Sequence, residues 1–169
     1  MSPGLAQSVQ TRLLAHAKKL GVDPNLVLVR YATERFLYRL SCSRHADRFV
    51  LKGALLLLAW LGETIRPTRD ADLLGFGDLS GDALTATFSE ICASEVEPDG
   101  MAFEPSSIRV VAIRPEDEYG GQRVTLIARL GPARLRLQVD VGIGDAVTPE
   151  PVWLEYPSLL DLPRPRLRA

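Results

Sequence analysis

Residues 134–143 (RLRLQVDVGI) alternate polar and apolar side chains with the two-residue period of a β-strand. The apolar side is formed by Leu135, Leu137, Val139 and Val141, and the polar side by Arg134, Arg136, Gln138 and Asp140. A strand of this kind is buried on one face only, as in antiparallel or mixed sheets. A second β-prone run, residues 123–130, precedes it across Gly131-Pro132, which predicts a hairpin.

The rest of the chain predicts helices around this sheet. Apolar residues recur at helical spacing in 5–20, 25–42, 54–62 and 80–95, and further strands are predicted at 49–51, 70–74 and 107–113. The fold class is therefore α/β (α+β), a small mixed or antiparallel sheet flanked by helices. We expect one domain in three parts: an N-terminal helical segment (1–48), the sheet-bearing part (49–148) and an extended, Pro-rich C-terminal segment (149–169).

Composition narrows the function classes. Of 169 residues, 46% are hydrophobic and 24% charged, which is typical of a folded globular protein. The formal net charge of −1 argues against a protein that coats nucleic acid through a broad positive field. The N-terminus has no secretory-signal pattern, and the longest apolar run, 54–61, is too short to span a bilayer. We expect a cytoplasmic protein without membrane contact.

Three aspartates are candidates for metal binding. Asp70 and Asp72 are two residues apart in a predicted strand, so both carboxylates project from one face. Asp140 lies on the polar face of its own strand. If the two strands are neighbours, the three carboxylates converge as a metal-dependent phosphoryl-transfer site requires. Alternatively, the first two are solvated turn acids and Asp140 is an edge-strand acid beside Arg134 or Arg136.

A candidate phosphate site precedes these acids. Lys52, Gly53 and Ala54 stand at a strand-to-helix turn, where a glycine lets the backbone approach a phosphate closely. Arg66 and Arg69 lie just before Asp70, and guanidinium groups can clamp triphosphate oxygens. The alternatives are that Gly53 only makes a turn and that the arginines only balance the acids.

Three segments in order resemble a known family. The string FVLKGALLLLAWLGETIRPTRDADLLGFGD is similar to the first motif of the DNA polymerase β-type nucleotidyltransferase superfamily, in the variant of the AbiEii/AbiGii toxins, which include the MenT toxins. The strings LRLQVDVGIGD and VWLEYPSLLDLPRPRLRA resemble that family's third-carboxylate strand and the segment after it. The family's second turn residue, Gly or Ser, is Ala54 here.

This resemblance implies a nucleotidyltransferase palm and a reaction. The enzyme would transfer a nucleoside monophosphate from a nucleoside triphosphate to an acceptor hydroxyl, with the 3′ end of tRNA as acceptor. By matching positions, Asp70, Asp72 and Asp140 would be catalytic and bind Mg²⁺ or Mn²⁺, and Gly53 and Ala54 would cradle the triphosphate. The resemblance also implies a toxin neutralised by a cognate antitoxin, and a C-terminal helical region that is missing from this sequence.

Two other functions stay open. The first is a catalytically inactive palm that binds a nucleotide or a partner. The second is an antibiotic nucleotidyltransferase that modifies a small molecule.

Overall fold

The computed structural model describes residues 3–53, 56, 70–113, 120–143 and 151–169. In that part of the chain there are three α-helices and seven strands. They are α1 (Pro3–Leu20), α2 (Pro24–Cys42), β1 (Phe49–Lys52), β2 (Ala71–Gly75), α3 (Gly81–Cys92), β3 (Met101–Ala112), β4 (Gln122–Leu130), β5 (Ala133–Ile143), β6 (Trp153–Glu155) and β7 (Arg166–Arg168).

Capping residues mark the ends of the helices. Gly21, with φ of 68°, follows the last residue of α1 and adopts the left-handed conformation that closes many helices. Asp23 caps α2 by accepting a hydrogen bond from the Asn25 backbone, and Pro24 occupies the first turn. Ser80 caps α3 in the same way through the Ala83 backbone. These helices confirm three predictions, although α3 ends three residues earlier than expected.

The strands form one mixed sheet in the order β3-β4-β5-β2-β1-β7-β6. The β4–β5 hairpin is confirmed, with Leu130 opposite Ala133 and Gly131 in the left-handed conformation. β2 pairs with β5 in parallel and with β1 in antiparallel orientation. The strands that bear the predicted acids are thus neighbours, and the fold class is confirmed.

The core lies on one face of this sheet. The apolar side chains of β4 and β5, including Val124, Leu126 and Leu137, are buried together with α2. Phe36 of α2 and Phe88 of α3 have ring centroids 5.3 Å apart, which ties the two helices together. Because this face is covered, the opposite face of β5 presents its polar residues outward, as the alternation predicted.

The prediction for β3 was incomplete. β3 begins at Met101 rather than near residue 107, and its register shifts between Glu104 and Arg109. The strand contains Pro105, which β3 tolerates because β4 is its one neighbour among the described strands, so the missing N–H can lie on the unpaired side.

The C-terminal segment is more than an extended connector. Its last strand, β7, lies between β1 and β6 and pairs with both, so this segment adds two strands to the sheet that the sequence did not predict. The two strands have three residues each, and Pro163 and Pro165 fall outside them.

The predicted helix 54–62 lies, apart from Leu56, outside the described residues, and so do residues 63–69. Among the helices that are described, none is long and apolar enough to cross a bilayer.

Candidate active site

Four charged residues lie side by side across four strands of the sheet. Lys52 of β1 is paired with Asp72 of β2, Asp72 with Asp140 of β5, and Asp140 with Arg123 of β4. Neighbouring strands are about 4.8 Å apart, so the row brings two carboxylates together between two cations. We call Lys52, Asp72, Asp140 and Arg123 the charged row.

The two carboxylates repel each other. Burial raises the pKa of the Asp72 carboxyl, the neighbouring Asp140 raises it further, and Lys52 acts in the opposite direction. Asp70 makes a smaller contribution that also raises this pKa. The ionised form of Asp72 is therefore disfavoured in the metal-free protein, and an additional cation beside it would be favourable.

Arg123 is the member of the row that sequence reasoning missed. Its Nε lies 3.0 Å from Oδ1 of Asp140 and its Nη2 lies 3.2 Å from Oδ2, which is a two-pronged ion pair. A signal for it existed in the sequence. Once the hairpin places Leu130 opposite Ala133, counting back along both strands places Arg123 opposite Asp140.

Gly53 lies against the same carboxylates. Its φ is +72°, and a Cβ at this position would come within 2.4 Å of Oδ2 of Asp72. No side chain fits between the backbone and that oxygen. The sequence predicted that Gly53 lets the backbone approach a phosphate, whereas in this structure its close neighbour is the Asp72 carboxylate.

Lys52 extends from β1 toward β5. Its Nζ lies close to Gly142, a residue of β5 two positions after Asp140. If Gly142 had a Cβ, that carbon would be 3.1 Å from Nζ of Lys52. Gly142 therefore leaves room for Lys52 to reach across β2. The ammonium is placed where it can contact the oxygens of a ligand bound at the carboxylates.

Asp70 is close to the row but not a member of it. It precedes β2 instead of belonging to the strand, and its Oδ2 accepts a hydrogen bond of 3.3 Å from Gln138. Its charge still acts on the pKa of both Asp72 and Arg123. Asp70 lies at one end of a cleft of about 370 Å³ that also contacts Asn25, Arg134 and Arg136.

The remaining predicted site residues, Ala54, Arg66 and Arg69, lie outside the described residues. Of the predicted residues that are described, Lys52, Gly53, Asp72 and Asp140 lie together and Asp70 lies at the margin. Among the residues with described positions, no group of three or more His, Cys, Asp or Glu side chains is arranged to hold a metal ion. In this arrangement one of the carboxylates, that of Asp140, is bound to Arg123.

No curated protein matches the chain. The sequence model of a family described as "Nucleotidyl transferase AbiEii toxin, Type IV TA system" matches residues 35–169, a range that contains the whole charged row and every described strand. Since this match covers well over half of the 169 residues, the chain belongs to the family of AbiEii nucleotidyltransferase toxins of type IV toxin–antitoxin systems.

Proposed function

We propose that this protein transfers a nucleoside monophosphate from a nucleoside triphosphate to a hydroxyl group of RNA. The observation that carries the proposal is the register of β2 and β5, which sets Asp72 directly beside Asp140. Two adjacent carboxylates flanked by Lys52 and Arg123 combine ligands for a cation with ligands for phosphate. Membership of a nucleotidyltransferase family supports the same reaction.

The donor set fits a divalent metal. Asp72 and Asp140 offer carboxylate oxygens, which Mg²⁺ and Mn²⁺ prefer, and Asp70 would have to move toward them to serve as a third ligand. When bound, such a metal would lower the pKa of the attacking hydroxyl and neutralise charge on the α-phosphate and pyrophosphate.

The protein's own residues have separate tasks. Asp140 accepts the proton of the acceptor hydroxyl while the hydroxyl oxygen forms a bond to the α-phosphorus. The bond between that phosphorus and the bridging oxygen breaks, and pyrophosphate leaves. Lys52 and Arg123 bind phosphate oxygens, and Gly53 keeps the backbone close to the site.

The acceptor proposed is the 3′ end of tRNA, and the biological role is that of a toxin neutralised by a cognate antitoxin. The family resemblance supports both the tRNA acceptor and the toxin role. Ala54, Arg66 and Arg69 remain proposed contacts of the triphosphate.

The test is incorporation of labelled nucleotide into total tRNA in the presence of Mg²⁺. We expect Asp72→Asn and Asp140→Asn to lower the rate about 100-fold or more, since each removes charge from the reacting centre. Asp161→Asn is the matched control, because it makes the same chemical change at an exposed position of the C-terminal segment. Equal labelling by wild type and both site variants would reject the catalytic roles.

A further inference from the structure

The cleft beside Asp70 has a structural origin. β2 begins at Ala71, which is opposite Val139, so residues 134–138 of β5 have no strand partner on that side among the described residues. The opening, about 370 Å³, is bounded by Asn25 of α2 and by Arg134, Arg136 and Gln138 of β5. We call this opening the arginine cleft.

The arginine cleft carries an excess of positive charge. Arg134 is directly opposite Arg129 of β4, and like charges in facing positions of a sheet repel. Arg129 is paired with Glu104, whereas Arg134 and Arg136 are exposed and have no hydrogen bond or ion pair with any residue in the described ranges. Two guanidinium groups at the mouth of a cleft are therefore available to an anion.

The two arginines belong to a row of side chains on β5 that leads to Asp140. Arg134, Arg136, Gln138 and Asp140 occupy the same face of β5 at successive two-residue steps of about 7 Å. A strand of nucleic acid that places its terminal hydroxyl at Asp140 can lay successive phosphates along this face. Guanidinium groups at such intervals match a repeating anionic backbone better than a single small ligand.

The distances along β5 favour the acceptor over the triphosphate as the occupant of the arginine cleft. Arg134 is six residues from Asp140, or about 20 Å along the strand. A triphosphate with its α-phosphorus at the carboxylates does not extend that far, and neither does an antibiotic-sized acceptor. Lys52 and Arg123 already lie beside the carboxylates and can bind the triphosphate there.

We propose that the arginine cleft binds the sugar–phosphate backbone of the acceptor RNA, with Arg134 and Arg136 contacting phosphates upstream of the reacting 3′ hydroxyl. This inference rests on the proposed function, because it takes Asp140 as the point of reaction. Arg134 and Arg136 would then bind and orient the acceptor RNA without taking part in the chemical step.

The test measures RNA binding separately from turnover. The probe is a fluorescein-labelled single-stranded RNA of about twelve nucleotides with a free 3′ hydroxyl, and binding is followed by anisotropy as the salt concentration is varied. We expect Arg136→Ala to weaken binding about tenfold. The slope of log affinity against log salt should fall by about 0.7, or about 1.4 for the double variant with Arg134→Ala.

The matched control is Arg164→Ala, which removes the same exposed side chain near the far edge of the sheet. It should leave affinity and salt slope unchanged. Calorimetry with Mg²⁺ and a ribonucleoside triphosphate should give the same affinity for wild type and the cleft variants. Circular dichroism and thermal unfolding check that each variant is folded.

Three results would overturn the inference: an unchanged salt slope in the double variant, an equal loss in Arg164→Ala, or a loss of triphosphate affinity with RNA affinity intact. The last result would place the triphosphate in the cleft. RNA binding that depends on both arginines, found in a wild-type protein that transfers no nucleotide, would support the cleft and reject the proposed function.

Discussion

Replacing Asp72 by Asn should stabilise the metal-free protein while it abolishes nucleotide transfer. The substitution keeps the side-chain shape beside Gly53 and removes one of two adjacent negative charges. Two unit charges about 5 Å apart repel by about 3 kcal/mol at an effective dielectric constant near 20. Lys52 and Arg123 offset most of this repulsion, so we expect a net gain of about 1 kcal/mol in the free energy of unfolding.

The pH dependence gives a second signature. Because the pKa of Asp72 is raised in the folded protein, its ionisation destabilises the fold as the pH rises above the ordinary value of 3.8. The wild type should therefore approach the stability of Asp72→Asn as the pH falls toward that value. The gap between the two should be largest near neutral pH.

Urea unfolding in buffer with a metal chelator measures the effect, and thermal unfolding should show a rise of about 3 °C. Added Mg²⁺ should raise the stability of the wild type more than that of the variant, since a ligand stabilises only the state that binds it. Asp161→Asn should change stability by less than about 0.5 kcal/mol. A variant that is less stable than wild type without metal would refute the reasoning, because the Lys52 attraction would then outweigh the repulsion.

Three further predictions concern neighbouring features. Gly53→Ala should lower stability by about 1–2 kcal/mol in urea unfolding and reduce transfer, because the residue is left-handed and its Cβ meets Asp72. In α2, Arg35 donates a 2.6 Å hydrogen bond to the buried carboxylate of Glu34, which also accepts one from the backbone N–H of Leu159 in the C-terminal segment. Glu34→Gln should lower the free energy of unfolding by about 3 kcal/mol, because Arg35 would keep a buried charge without an anionic partner, and limited proteolysis should cut the C-terminal segment faster. Arg123→Gln should tighten Mg²⁺ binding in calorimetry, because Arg123 competes with the metal for the Asp140 carboxylate. The same change should raise the KM for the triphosphate, because it removes a cation proposed to bind phosphate oxygens.

The hairpin of β4 and β5 was predictable because its determinants are local. Alternation fixed which residues face the core, and Gly131 marked the turn. The resulting register also predicts that Arg123 lies opposite Asp140. Local signals also predicted the starts of α2 and α3 through the capping residues Asp23 and Ser80.

The central contact of the site could not be derived from such signals. Asp72 and Asp140 are 68 residues apart in the sequence (140 − 72), and their pairing depends on a parallel alignment of β2 with β5. No turn chemistry links those two strands, so only the family resemblance suggested that the carboxylates converge. Asp70 falls before β2, a difference of one residue that strand periodicity does not resolve.

The C-terminal strands β6 and β7 could not be predicted from the sequence, for a related reason. Three-residue strands are too short to show a period, and the prolines around them suggested an irregular segment. Their stability comes from partners that are far away in the sequence: Arg168 of β7 is aligned with Val50 of β1.

This last pairing has a consequence for the order of events during synthesis. β1 carries Lys52, yet one of its two edges is covered only after residues 166–168 have left the ribosome. Until then the nascent chain has an open edge next to the proposed catalytic centre, and long-range pairing of this kind is slow. The part of the sheet around Lys52 is therefore complete only after residues 166–168 have been added to the chain, whichever strands have formed before them.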